Sequence, residues 1–289
     1  AELKTKAADL AKSAYGQVRI RVGSWWERQS QLGIVPPGMA DILNLKRKPD
    51  IKGSGKLDQA ADAFTTLPKF NSEKLRETLR PTTNIEEIIK REGITVEQFN
   101  QLKLKPIDEL TPEEADLLKR IRDSVPPITR DILLQKIIPK EDIEKYLDGT
   151  YTQIGGYVTK AEYVLDDTSY KGILETLRLD YVDGNGRRPF PDDGDTYGMI
   201  RFRTDAVNHI RIPYGERFGG NNKDGYPCTQ NGFLGSRNGK IVPEWKFSGY
   251  HPPQDGAELY RVVNGREELV GVYDESKLKF VPVRLKQED

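Results

Sequence analysis

The chain has 289 residues, of which 36% are hydrophobic and 31% charged, with a mean hydropathy of −0.67; it is polar overall but long enough for one large domain or two smaller ones. Its 45 basic and 45 acidic residues cancel, so no global field draws it to nucleic acid or an anionic membrane. The single cysteine, Cys228, excludes an internal disulfide and a metal site built from clustered cysteines.

Residues 1 to about 125 read as helical. Leu3, Ala7, Leu10, Ala14 and Tyr15 recur at helical spacing, Trp25 and Trp26 lie near the end of this segment, and Gly33 with Pro36, Pro37 and Gly38 interrupts it. Residues 39–45 form a short apolar stretch of helical character, and 46–56 read as a polar linker. Further helices are expected over 71–79, stopped before Pro81, over 83–91, closed by Gly93, and over 95–102. The clearest helix is 111–122, with Thr111 at the cap, Pro112 in the first turn and Glu114 completing a capping box.

The texture changes near residue 128. Residues 132–138 read as a buried strand ended by Pro139, 141–147 as a helix closed by Gly149, 155–161 as a strand after a glycine pair, and 170–177 as a helix. An Asp-, Gly- and Pro-rich loop over 183–195 follows, then alternating strands over 199–204 and 208–212. The runs 257–263 and 267–273 flank Asn264 and Gly265, a strong hairpin signal, and 278–283 reads as an edge strand. Between these, Ile241–Phe247 has a strand-like apolar pattern with one acid, Glu244, at its centre, and the Gly-rich segment Asn231–Gly239 leads into it. A carboxylate held on a strand behind such a loop suits the stabilisation of a cationic transition state.

The C-terminal half, over roughly residues 110–283, resembles a bacterial mono-ADP-ribosyltransferase toxin domain in the order of its elements. The resemblance implies an α+β fold: a helical N-terminal region, residues 1–105, followed by a β-rich ADP-ribosyltransferase-like domain, residues 106–289, of two packed small sheets. It also implies NAD as substrate. In the family the first strand carries a basic residue for the NAD pyrophosphate; Lys136 stands there, where arginine is usual. The second-strand pattern is Gly155, Gly156, Tyr157, Val158 and Thr159, with one hydroxyl where two or three are usual. The resemblance gives Glu244 the catalytic carboxylate role. Two residues before it stands Val242 instead of the acid or amide that often steers a protein acceptor, and NAD hydrolysis would need only the rest of the site.

Cleavage of the nicotinamide–ribose bond generates an oxocarbenium-like centre, which a nearby carboxylate stabilises as in glycoside hydrolysis. Glu244 is the candidate; the competing reading is a solvated acid on a strand face. Lys136 and Arg178 are the candidates for the pyrophosphate; the bland alternatives are a snorkelling strand lysine and an Arg178–Asp180 ion pair. Thr159 either bonds ribose, positions Glu244, or simply fills a strand. Tyr157 and Phe233 are candidates to stack on nicotinamide, against plain core packing. His209 and His251 lack metal-ligand spacing.

Phrases such as Leu177–Tyr181, Arg211–Tyr214 and Asp255–Tyr260 resemble the C-terminal cargo of polymorphic secreted toxins. This implies a protein acceptor in a target cell, a cognate immunity protein or delivery partner, and no DNA partner. No apolar run approaches the roughly 20 residues of a spanning helix, and residues 1–4 carry no signal-peptide apolar stretch. Secretion or delivery by a route without an N-terminal signal is therefore the expectation. The competing functions are an NAD glycohydrolase toxin, a non-enzymatic helical plus β-rich binding module, and a nuclease using His209 or His251 as base.

Overall fold

The computed structural model describes residues 67–283. The helical segments anticipated before residue 46, the tryptophan pair and the 46–56 linker lie outside the described residues.

Among the described residues four α-helices precede the first strand: α1 (Ser72–Thr78), α2 (Ile85–Arg91), α3 (Val96–Leu104) and α4 (Pro112–Asp123). Each starts on a side chain that accepts a backbone N–H of the first turn: Asn71, Asn84, Thr95 and Thr111. The last two form full capping boxes with Gln98 and Glu114. Then come β1 (Leu134–Ile138), α5 (Lys140–Leu147), β2 (Ile154–Lys160), α6 (Tyr170–Thr176), β3 (Thr196–Phe202), β4 (Ile210–Arg211), β5 (Trp245–His251), β6 (Glu258–Val263), β7 (Arg266–Asp274) and β8 (Lys279–Pro282).

The strands form an antiparallel sheet of order β4-β5-β2-β1-β3-β6-β7-β8, so the architecture is α+β. Two packed small sheets were expected; instead β1 pairs with both β2 and β3 and joins the two halves into one. That join is narrow. β1 and β2 pair only at Leu134–Lys160 and Gln135–Thr159, whereas β1 pairs with β3 along its whole length. Beyond Gln135 the ladder stops, and the Lys136 ammonium donates to the Tyr157 carbonyl across the gap (3.2 Å). The β6–β7 hairpin turns at Asn264 and Gly265, both at positive φ (49° and 80°), as a two-residue primed turn requires.

The helices share the sheet's core. Ile88 and Ile89 of α2, Phe99 of α3 and Leu118 and Ile121 of α4 belong to one apolar cluster with Ile200, Phe233, Trp245, Phe247 and Phe280. The boundary expected at 105–106 thus runs between α3 and α4, two helices that pack on the same core. Farther round, the segment leading into α1 is tied down by buried charge. The Glu258 carboxylate accepts the N–H groups of Lys69 (2.7 Å) and Phe70 (2.8 Å), and Glu267 accepts that of Ser72 (2.7 Å). Arg201 of β3 donates to the Phe70 carbonyl, the Ser72 hydroxyl and Gln135 Oε1.

Candidate functional site

The cleft opens where β1 and β2 part. Lys136 and Ile137 line it from β1, Tyr157, Val158 and Thr159 from β2, and Glu244 from the residue just before β5. A second wall is apolar, built from Leu177, Leu179, Tyr181 and Phe190 beyond α6, and the loop Asp224–Cys228 closes the far side. The cleft has a cavity volume of about 140 Å³ and opens into solvent at its mouth. Three residues separated by 23 and 85 positions in the chain (136 to 159, 159 to 244) therefore share one concavity because β5, β2 and β1 are neighbours in the sheet.

Glu244 ends an excursion of the chain that begins at Gly232, within the long connection from β4 to β5. The Phe233–Pro243 bridge, Leu234 N–H to Val242 O (2.9 Å) and Glu244 N–H to Gly232 O (2.9 Å) close its base. The Glu244 side chain is 5% exposed, and its Oε2 is buried without a hydrogen-bond partner. Burial pushes its carboxyl up to about 8; Asp224 adds to the rise, while Lys246 and Arg122 oppose it. Glu244 therefore faces the cleft as a desolvated acid, not bulk water.

Thr159 is buried, and its hydroxyl donates to the Pro243 carbonyl at 2.9 Å. Of its anticipated roles, the structure gives it the one of holding the peptide that carries Glu244. Lys136 is half-buried, and enclosure pushes its ammonium down to about 8 while Asp142 pulls the other way. Tyr157 turns its hydroxyl to Asp224 Oδ2 (2.6 Å), with Asn222 and Cys228 also in contact. Burial, aided by the charges of Glu244 and Asp224, holds its phenol above the usual range.

Arg178 lines the cleft in a left-handed conformation (φ 52°). Its donors are largely committed: Nε and Nη2 to the Asp180 carboxylate (2.9 and 3.2 Å), Nη1 to the Gly235 carbonyl (3.0 Å), and Nη2 also to Tyr226, whose ring it overlies at 4.8 Å. The Arg178–Asp180 ion pair weighed against a phosphate role is present, and it ties the cleft's apolar wall to the loop above it. Phe233 is not in the cleft. It is fully buried, edge-on to Phe99 at 5.0 Å, because the bridge to Pro243 turns it to the core and gives the cleft side to Leu234.

Residues not singled out in the sequence complete the site. Asp224 lines the cleft and accepts from Lys246 at 2.6 Å. Lys246 is two residues beyond Glu244, and the period of two along a strand was the signal that puts it on the same face. Cys228 also lines the cleft, but burial pushes its thiol up to about 12, so it is no thiolate nucleophile. Arg122, in the last turn of α4, donates to the carbonyls of Gly232 (2.7 Å) and Glu244 (2.9 Å) from behind. Gly232 is required there: its φ is 84°, and a Cβ would meet Arg122 Cγ at 2.9 Å and Ile212 Cγ2 at 2.7 Å.

The histidines lie elsewhere. His209 and His251 stack at 4.3 Å beside a separate hollow lined by Asp205, Asp255 and Glu275. No group of three or more metal-ligating side chains occurs among the described residues, and no helix among them is long and apolar enough to cross a membrane. Comparisons with protein-family models, curated proteins and solved structures find no match for this chain.

Proposed function

We propose that the cleft binds NAD and cleaves its nicotinamide–ribose bond, transferring ADP-ribose to a target macromolecule. The observation that carries the reading is the convergence of Glu244, Thr159 and Lys136 on one cleft, with a Glu244 oxygen buried and unpartnered. A desolvated carboxylate with spare acceptor capacity suits a positive charge that develops beside it.

In this reaction the C1′–N bond breaks and its electron pair goes to the pyridinium nitrogen, so nicotinamide leaves neutral. The ribose C1′ becomes oxocarbenium-like, and a nucleophile of the acceptor adds there and loses its proton. The residues divide the work. Glu244 sits against the cationic centre, and Thr159 fixes the peptide before it. Lys136 supplies a cation for the pyrophosphate, with Arg178 holding the wall beside it. Tyr157, facing Asp224, forms the flat floor on which a ring rests. Burial favours the protonated form of Glu244 and the arriving pyridinium cation favours its ionised form, so binding is coupled to proton release.

Under this reading the chain is a toxin cargo acting on a target-cell protein, and a cognate immunity protein would act by covering the cleft. With water as acceptor the same residues make an NAD glycohydrolase. The experiment is incubation with NAD and chromatographic detection of free nicotinamide, with and without target-cell extract. Release only with extract identifies a transferase, and release without it a hydrolase. No release in either case, with the protein folded, would favour a binding module. Expression in cells supplies a second readout: the wild-type chain slows growth and Glu244→Gln relieves it.

A further inference from the structure

Arg122 is a buried cation that none of the proposed chemistry uses. It is fully enclosed, yet no carboxylate lies within ion-pair distance of it among the described residues, and its Nη1 has no hydrogen-bond partner. Its guanidinium lies 4.3 Å from the Trp245 ring and 5.8 Å from that of Phe233. A lone buried charge is costly, and an apolar side chain would fill the same space at less expense. What the guanidinium supplies is a fork. Nε holds the carbonyl of Gly232, where the Glu244-bearing excursion begins, and Nη2 holds the carbonyl of Glu244, where it ends. The fork is rigid because α4 is fixed at its start by the Thr111–Glu114 capping box and along its length by buried Leu118 and Ile121.

The charged and titratable groups facing Glu244 are few. Lys246 lies on its own strand, Asp224 and Cys228 on the covering loop, Tyr157 on β2 and Arg122 on α4. Lys246 is bonded to Asp224, so much of its charge is already answered. Arg122 bonds directly only to carbonyls and lies against aromatic faces, with Asp123, Lys160 and the phenols of Tyr163 and Tyr214 acting on it at longer range. We infer that Arg122 is a positioning residue for Glu244, fixing the main chain at both ends of the excursion and keeping a positive charge with no direct ion-pair partner behind the carboxyl. The inference rests on Glu244 being the acting carboxylate.

The test needs a readout independent of NAD. In chain labelled with 13C at glutamate side chains, the Glu244 carboxyl is assigned by its loss in Glu244→Gln and titrated. Arg122→Met, which keeps apolar volume and removes the charge, is expected to raise the Glu244 midpoint by about one pH unit, a tenfold change in the proton equilibrium. Arg122→Lys, which keeps the charge and loses the fork, is expected to leave the midpoint within roughly 0.3 unit and to lower kcat for nicotinamide release about tenfold with KM little changed. Lys103→Met serves as control, since Lys103 holds the same excursion at the Lys240 carbonyl (2.7 Å); it should not move the midpoint. An unmoved midpoint in Arg122→Met, or an equal shift in Lys103→Met, overturns the inference. If Arg122→Met does not fold by circular dichroism, Arg122→Lys decides: unchanged kcat in a folded Arg122→Lys overturns it. If the midpoint moves as expected but wild-type protein releases no nicotinamide, the pairing of Arg122 with Glu244 stands and the NAD reading fails; the reverse pattern removes only the pairing.

Discussion

The Thr159 hydroxyl donates to the Pro243 carbonyl at 2.9 Å, so strand β2 grips the peptide bond immediately before Glu244. Thr159→Val keeps the shape and removes the donor, leaving a buried carbonyl short of one partner. We expect a stability loss of about 1–2 kcal/mol by denaturant unfolding. The fall in kcat for nicotinamide release should be larger than the change in KM, because the bond sets geometry. Thr159→Ser, which retains the hydroxyl, should recover most of the rate.

Glu244 links stability to pH with a definite sign. Its carboxyl rises from its ordinary 4.5 to about 8 on folding, because burial disfavours the charged form. Between these values the unfolded chain loses the proton before the folded one does, so the wild type loses stability as pH rises from about 4.5 to about 8 and no more beyond. Glu244→Gln escapes this loss. The variant should be more stable than wild type at pH 8, by on the order of a few kcal/mol, and unfold at a higher temperature, with the gap closing toward pH 5. A stabilised but inactive variant is the signature of a strained functional carboxylate.

Lys136 gives the opposite limb. Its ammonium falls from 10.5 to about 8, so it loses charge as pH rises through the value at which Glu244 gains it. The profile of kcat/KM for NAD should be a narrow bell near pH 8, with the two limbs belonging to the pair. Lys136→Arg keeps its charge at high pH and should remove the alkaline limb. Lys136→Met should raise KM for NAD about tenfold or more.

Arg178 is expected to act mainly through order. It joins Asp180 to the Gly235 carbonyl and Tyr226. Arg178→Met leaves Asp180 with only the Tyr226 hydroxyl (3.2 Å) and Arg237 (3.3 Å) and should cost about 1–3 kcal/mol. Limited proteolysis should then cut within residues 224–235 faster than in wild type.

The sequence revealed the parts whose signals are local. The capping box of α4, the Asn264–Gly265 turn and the apolar run of β1 were readable because each is set by residues within a few positions. Glu244, Thr159, Lys136 and Tyr157 were grouped by the order of elements in the toxin-domain resemblance, and they line one cleft. What stayed hidden depends on long-range closure. Asp224 and Cys228 sit in a loop whose place is set by contacts to β2 and β5, and nothing near them in the chain marks them. Arg122 looks like an ordinary basic residue answering a helix C-terminus. Phe233 was misjudged because one bridge, to Pro243, decides which of two neighbouring side chains meets the cleft. The single sheet was missed because the β1–β2 join consists of two residue pairs.

The most direct measurement is free nicotinamide from NAD, comparing the wild-type chain with Glu244→Gln across roughly pH 7–9, the range in which Glu244 and Lys136 titrate. The account predicts release by wild type and a loss of about 100-fold or more in the variant, with NAD still bound. Equal release by the two proteins, or none by a folded wild type with target-cell extract present, would contradict it.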